Sequence, residues 1–296
     1  MQYLIDASVY VFRAYYSMPD DMVDGEGNPV NALYGFCRFL GDFMEQVNPE
    51  HIAVLFDESQ SKSFRTEIYP EYKANRDPAP EELKRQFGQC RRFTRALGLM
   101  DWGSPRYEAD DLIGTLVEHG RSVNRPSTIV TRDKDLAQLV SADDIFWDFA
   151  GKGKIKYDDV AGVFGVPPEQ IADFLALAGD AVDNIKGVPG VGKKTATVLL
   201  ENFGSLDSIY TNLDNVHEIN VRGAKTLGEK LATHKDAAYL ARRLTGIACD
   251  APIDDAESSM QRSRPKLGEI NALFDEADIG MALRRQAERI SDLSRD

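Results

Sequence analysis

Nine carboxylates stand where this chain passes from strand-like to helix-like sequence. Asp6 closes YLID and Asp57 closes HIAVLFD. Glu108, Asp110 and Asp111 lie together in EADD, Asp133 and Asp135 follow STIVTR, and Asp180 and Asp183 stand in GDAVDN. Aspartate is common at strand ends and helix N-caps, where it accepts backbone N–H bonds. Asp111 and Asp135, each just ahead of an apolar helical run, suit that role. Capping needs one acid per helix, however, and here the acids recur in groups spaced i,i+2 or i,i+3. If the strands run parallel, their C-terminal ends lie side by side, which is where open α/β sheets bind ligands. Acids gathered there would repel one another strongly unless divalent cations neutralised them. An all-oxygen donor set points to hard cations, Mg²⁺ or Mn²⁺.

The elements that must position these acids can be read from periodicity. Residues 2–6, 51–57, 127–131 and 144–149 read as strands. Residues 30–46 read as a helix with Leu33, Phe36, Leu40 and Phe43 on one face, and 81–97 as a helix with Leu83, Phe87, Cys90 and Leu97 near helical spacing. Further helices are expected at 110–119 and 135–140. Strands alternating with helices predict an α/β fold, a mostly parallel central sheet with helices on both faces. Residues 58–80, rich in Pro, Lys and Arg, are long for a loop, and long loops are usually functional.

From about 158 the chain becomes helical. FLALAGD closes one helix, GVPGVG makes a tight hairpin and KKTATVLLENF opens another. This is the grammar of a helix-hairpin-helix element, in which hairpin N–H groups and the positive end of the second helix hold a DNA phosphate. Gly187, Gly190 and Gly192 permit the turn, and Lys193, Lys194 and Thr195 start the second helix. Lysines there oppose the helix dipole but suit a docked phosphate. Residues 251–264 read as a linker and 266–291 as a terminal helical segment.

With 296 residues, 43% hydrophobic and 28% charged, the chain can bury a sizeable core. No apolar stretch approaches membrane-spanning length and no targeting signal is visible, so a cytoplasmic protein is expected. Cys37, Cys90 and Cys249 and the four histidines show no metal spacing, which argues against zinc. The net charge of −13 argues against indiscriminate DNA coating. Residues 60–95 reverse that sign locally, with nine Lys or Arg against five Asp or Glu.

GVPGVGKK at 187–194 nearly spells a P-loop, but Lys194 stands where a hydroxyl should bind Mg²⁺, and a helix rather than a strand precedes it. A nucleotide hydrolase is therefore the weaker reading. Over residues 1–250 the chain resembles the 5′ nuclease family: the N-terminal nuclease domain of bacterial DNA polymerase I, phage 5′ exonucleases and flap endonucleases. The resemblance is carried by LIDASVYVFRAYY, AVLFD with SFRTEIYPEYKANR, YEADDLIGTL, VTRDKDLAQLV and LAGDAVDNIKGVPGVGKKTA, in the family's order. It implies a PIN-like nuclease core over 1–157 with a helical arch at about 58–97. A helix-hairpin-helix region over 158–250 and a C-terminal linker and helix over 251–296 would follow.

The resemblance also implies roles. Asp6, Asp57, Glu108 and Asp110 would mainly serve a first divalent ion, with Asp111 and Asp133 nearby. Asp135, Asp180 and Asp183 would serve a second. Arg13, Lys73 and Arg76 would act on the scissile phosphate, and Tyr72 could stack on a base. The hairpin would grip duplex DNA, with K⁺ at its carbonyls. The expected activity is two-metal 5′-3′ exonuclease and 5′-flap endonuclease cleavage by a monomer, on DNA with 5′ ends, flaps or RNA primers and away from membranes. A non-catalytic DNA-structure-binding protein is the rival. Val182, Lys186 and Arg132 depart from the family pattern.

Overall fold

The computed structural model describes residues 1–58, 63–149, 151 and 153–293. Its first part contains β1 (Gln2–Asp6), α1 (Ala7–Ser17), α2 (Asn31–Val47), β2 (Ile52–Leu55), α3 (Phe64–Ile68), α4 (Glu81–Ala96), β3 (Met100–Trp102), α5 (Ala109–Ser122), β4 (Ser127–Val130), β5 (Ile145–Asp148), β6 (Gly153–Lys156) and α6 (Tyr157–Phe164). Then come α7 (Ile171–Ala178), α8 (Lys193–Phe203), α9 (Leu206–Thr211), α10 (Ala224–Thr233) and α11 (Lys235–Thr245). The chain closes with α12 (Ala256–Met260), α13 (Leu267–Glu276) and α14 (Met281–Leu293).

The strands lie in the order β3-β2-β1-β4-β5-β6, all parallel except β6, which runs antiparallel to β5. Strand addition reverses direction between β1 and β4, the switch point at which such sheets bind ligands. Side chains alternate across the sheet. Leu4, Ala53, Leu55 and Ile129 face the layer that holds Leu112 and Leu116 of α5 and Leu175 of α7. Ile5, Val54 and Val130 face the opposite layer, which contains Val11 of α1, Phe36 and Phe43 of α2, Phe93 of α4 and Phe274 of α13. α2 delivers Leu33, Phe36, Leu40 and Phe43 at helical spacing and stops at Asn48, whose left-handed backbone (φ 47°) ends the helix. Truncating a ring as buried as Phe36 would cost about 3–5 kcal/mol.

The expected α/β sheet with helices on both faces is therefore present, with four local differences. The structure adds α1, β3 and β6, and residues 134–139 form a 3₁₀ helix. The stretch read as an arch divides in two. α4 is a core helix that buries Leu83, Gln86, Cys90 and Phe93, so only α3 and the following turn to about residue 80 lie over the site. Residues 59–62 of that expected arch lie outside the described residues. At the C-terminus the expected linker contains α12, and α13 and α14 return to the first layer beside α4 and α2. Residues 294–296 of that expected segment lie outside the described residues. Among the described residues no helix is long and apolar enough to cross a membrane.

Candidate active site

The ends of β1, β2 and β4 deliver Asp6, Asp57 and Asp133 to one edge of the sheet, on both sides of the switch point. Asp6, only 2% exposed, accepts a hydrogen bond from Thr131 Oγ1 at 2.8 Å. Thr131 Oγ1 in turn accepts from the Asp133 N–H at 2.9 Å. Asp57 is tied to α5, its Oδ1 accepting from the Ala109 N–H at 2.9 Å. Asp133 accepts from the Asp135 N–H at 2.9 Å. Asp180 accepts from the Val182 N–H at 2.9 Å in the turn after α7.

Four of these acids are poorly compensated. Burial first, then the neighbouring Asp57, pushes the Asp6 carboxyl up to about 8. Burial together with Asp133, Asp6 and Asp57 raises Asp110 well above the ordinary carboxylate range. Burial, joined by Asp183, also raises Asp133. Asp135 is pushed up to about 7 by burial and by Asp133, Asp180 and Asp183, against the partial relief of Lys134. Asp135 Oδ1 is buried without a hydrogen-bond partner, and the Lys134 ammonium stands 3.7 Å away.

The neighbouring acids have cations of their own. Glu108 caps α5 in a reciprocal capping box with Asp111. It accepts from Tyr72 Oη at 2.9 Å and Lys73 Nζ at 2.9 Å. Burial alone would push Glu108 up, but the charges of Lys73 and Arg65 hold it below its ordinary value. Asp183 accepts from Tyr72 Oη at 3.1 Å and from Arg76, with Lys73 Nζ 3.7 Å away. Burial would lower the Lys73 ammonium, yet Glu108, Asp183 and Asp57 together raise it.

Two expectations need correction. Asp111, fully buried, accepts two hydrogen bonds from Arg65 at 2.7 and 2.8 Å and others from the Ala248 and Glu108 N–H groups. Both its oxygens are thereby committed, and it anchors Arg65 instead of facing the other acids as a metal ligand. Arg65 also donates to the carbonyls of Leu244 and Gly246, so this one buried guanidinium joins α3, α5 and the end of α11. Tyr72, read as a surface for a base to stack on, is 4% exposed. Its hydroxyl bridges Glu108 and Asp183, and its ring packs in the core.

Glu71–Arg76 is docked on the turn that carries Asp180 and Asp183. The Lys73 N–H donates to the Asp183 carbonyl at 3.0 Å, Asn184 Nδ2 to the Glu71 carbonyl at 2.7 Å, and Asn75 Nδ2 to the Ala181 carbonyl at 3.0 Å. Lys73 and Asn184 both adopt left-handed backbone, φ 55° and 56°. For a residue like Lys73 this costs about 1–2 kcal/mol, which the surrounding contacts must offset.

Between these groups lies a cavity of about 20 Å³ lined by Tyr72, Glu108, Asp110, Asp135, Asp180 and Asp183, room for one water or one small bare ion. Among the described residues no three His, Cys, Asp or Glu side chains converge at liganding distance on one point. The donor chemistry still fits hard divalent cations. It is all oxygen, it contains a buried carboxylate oxygen that accepts no hydrogen bond, and most of its negative charge is balanced only on the side of Lys73 and Arg65.

The hairpin follows α7, so the near-match to a P-loop lacks its strand. Gly187 approaches the end of α7 so closely that a Cβ there would stand 2.3 Å from the Gly179 nitrogen, and Gly190 is left-handed at φ 83°. Gly192 caps α8, with Lys193 and Lys194 exposed at its first turn and Thr195 half-buried behind them. Lys230, which the sequence reading missed, brings its ammonium to within 3.4 Å of where a Gly190 Cβ would stand. Arg13 sits on α1 two turns beyond Asp6. Of the departures from the family pattern, Val182 is 63% exposed, Lys186 Nζ lies 3.9 Å from Glu71, and Arg132 Nε lies 3.6 Å from Asp148.

Comparison with known proteins identifies the family. Residues 1–165 match the family model described as 5′-3′ exonuclease, N-terminal resolvase-like domain, and residues 166–267 match 5′-3′ exonuclease, C-terminal SAM fold. The chain is 39% identical to DNA polymerase I of Pseudomonas aeruginosa over 277 residues, 93% of this chain and 30% of that protein. It is 36% identical to a 5′-3′ exonuclease of Buchnera aphidicola, covering 92% of this chain and 89% of that one. The chain spans under a third of the length of the DNA polymerase I relatives of Rhizobium leguminosarum and Pseudomonas aeruginosa. A T5 5′-exonuclease solved with bound divalent metal ions (zinc) superposes with a TM-score of 0.66 at 20% identity, over 99% of both chains, which is a likeness of fold.

Proposed function

The chain belongs to the 5′-3′ exonuclease family, and from that premise we propose that it is a divalent-metal-dependent nuclease. It would remove nucleotides from 5′ ends and cut 5′ flaps in DNA, RNA primers included, as a cytoplasmic monomer. One observation carries the reading: acids from five separate chain segments meet at the switch point, and four of them are destabilised there as anions. Such an arrangement is costly for a protein that only binds DNA, because uncompensated acids repel phosphate.

Asp6, Asp57, Asp110 and Asp133 would hold one ion. Asp135, Asp180 and Asp183 would hold the other, with Glu108 between the two sets. Mg²⁺ or Mn²⁺, when bound, supplies Lewis-acid stabilisation of the phosphodiester oxygens. Lys73 and Arg76 donate to the scissile phosphate and offset the charge that grows on it. Tyr72 and Arg65 keep Glu108 and the basic loop in register. The Gly187–Gly192 hairpin and the start of α8 grip a duplex phosphate, with the hairpin carbonyls available to K⁺.

The test is a 5′-flap duplex labelled at either end, incubated with Mg²⁺ or EDTA. Metal-dependent cutting near the junction supports the reading. Tight binding without cutting in either Mg²⁺ or Mn²⁺ would favour a non-catalytic DNA-structure-binding protein.

A further inference from the structure

An open groove of about 540 Å³ runs along the outer face of α1, lined by Val9, Phe12, Arg13, Tyr16, Ser17 and Arg132. Three features set it apart from ordinary helix surface. Tyr16 is 75% exposed, a large ring left facing solvent on the last turn of its helix. The groove gathers two arginines in a chain whose net charge is −13. It also begins beside the acids, since Val9 lies in the first turn of α1 directly after Asp6 and Arg132 immediately precedes Asp133.

An aromatic face with cations beside it suits one class of ligand, an unpaired nucleotide: the ring stacks on the base and arginine meets the phosphate. The volume lies in the range of pockets for ligands of that size. From Val9 to Ser17 the helix rises about 12 Å, so a nucleotide at Tyr16 would remain within one or two backbone steps of the acids. Arg132 Nε stands 3.6 Å from Asp148 Oδ2, an ion pair on a half-exposed guanidinium whose other N–H groups can face a phosphate.

We infer that this groove is a nucleotide subsite, in which Tyr16 stacks on one unpaired base close to the cleaved bond and Arg132 holds its phosphate. The inference rests on the proposed nuclease function and adds to it a residue pair that fixes how the single strand leaves the site.

The experiment measures binding of a fluorescent 5′-flap duplex in EDTA, where no cleavage occurs, by anisotropy at several salt concentrations. Tyr16→Ala should weaken binding about tenfold and Tyr16→Phe should keep it. An abasic residue at the contacted position should abolish the difference between wild type and Tyr16→Ala. Arg132→Ala should lower the salt dependence by about one phosphate contact. If Tyr16→Ala binds as tightly as wild type while wild type cuts the flap in Mg²⁺, the subsite is wrong and the nuclease reading stands. Loss in Tyr16→Phe equal to that in Tyr16→Ala would overturn the stacking role. If wild type neither binds nor cuts the flap, both readings fall together.

Discussion

Two halves of one cleft treat the same kind of residue in opposite ways. On the side of β1 and β4, buried Asp6 and half-buried Asp110, Asp133 and Asp135 crowd one another and are held toward their protonated forms. On the side of the 71–76 loop, buried Glu108 is held ionised by Lys73 and Arg65, and Asp111 pairs with Arg65. Burial sets a similar penalty on both sides, and the neighbouring charge decides its sign. The first half is built to receive positive charge, whereas the second already has it.

The strongest way to break that contrast is to remove one acid from each half. Asp110→Ala should reduce flap cleavage in Mg²⁺ at least about a thousandfold, roughly 4 kcal/mol of barrier. Binding of the flap should change little, and the metal-free protein should become slightly more stable through lost repulsion. Parallel cleavage, anisotropy and denaturant-melt assays check all three, and cleavage close to the wild-type rate would remove Asp110 from the mechanism.

On the compensated side the expected loss is in folding. Arg65→Met leaves Asp111 and Glu108 buried beside no guanidinium and should destabilise by about 3–5 kcal/mol in urea melts. Adding Asp111→Leu should recover much of that loss, since an unpaired charge costs more than an apolar replacement; no recovery would mean that Arg65 acts mainly through its carbonyl contacts.

Lys73→Ala lies between the two regimes. Its kcat on a flap should fall about a hundredfold while Kd moves only a few-fold, and equal effects on both would reduce Lys73 to a binding residue.

The smallest expected effect is thermodynamic. Between the ordinary carboxylate value of 3.8 and about 8 for Asp6, or about 7 for Asp135, the folded protein keeps protons that the unfolded chain has released. Unfolding therefore releases protons in that window, and the stability of the EDTA-treated protein should fall as pH rises through it. Mg²⁺ or Mn²⁺ at a hundredfold excess over Kd should restore about 2.7 kcal/mol above pH 7. Thermal melts across pH 5–9 with and without the ion decide it, and a flat chelated profile would contradict the charge distribution described here.

Much of this molecule was legible in the chain. Strand ends at Asp6, Asp57 and Asp133, the apolar stripe of α2 and the glycine hairpin all write their geometry into local sequence. α1 escaped because SVYVF reads as strand, and tertiary packing of Tyr10, Val11 and Ala14 overrides that preference. β3 has three residues, too few to show a period, and β6 (GKIK) carries a single buried apolar residue, Ile155, between lysines. In the site, the positions of the acids could be read but their partners could not. Nothing local separates buried Arg65 from the solvated arginines of α4, or Tyr72 in the core from Tyr16 in water. That distinction depends on contacts such as Arg65 with Gly246, 181 residues apart in sequence.

The return of α13 and α14 to the first layer has a consequence for how the protein is made. Phe274 and Ile290 complete the apolar layer that includes Ile5 and Phe36. At about 5–20 residues per second, a ribosome that has finished the sheet at Lys156 still needs roughly 7–27 s to reach Ile290. Throughout that interval α2 and α4 lack their cover, so the nascent chain presents a greasy face that a chaperone would recognise. The sheet is encoded before the helices that seal one of its faces.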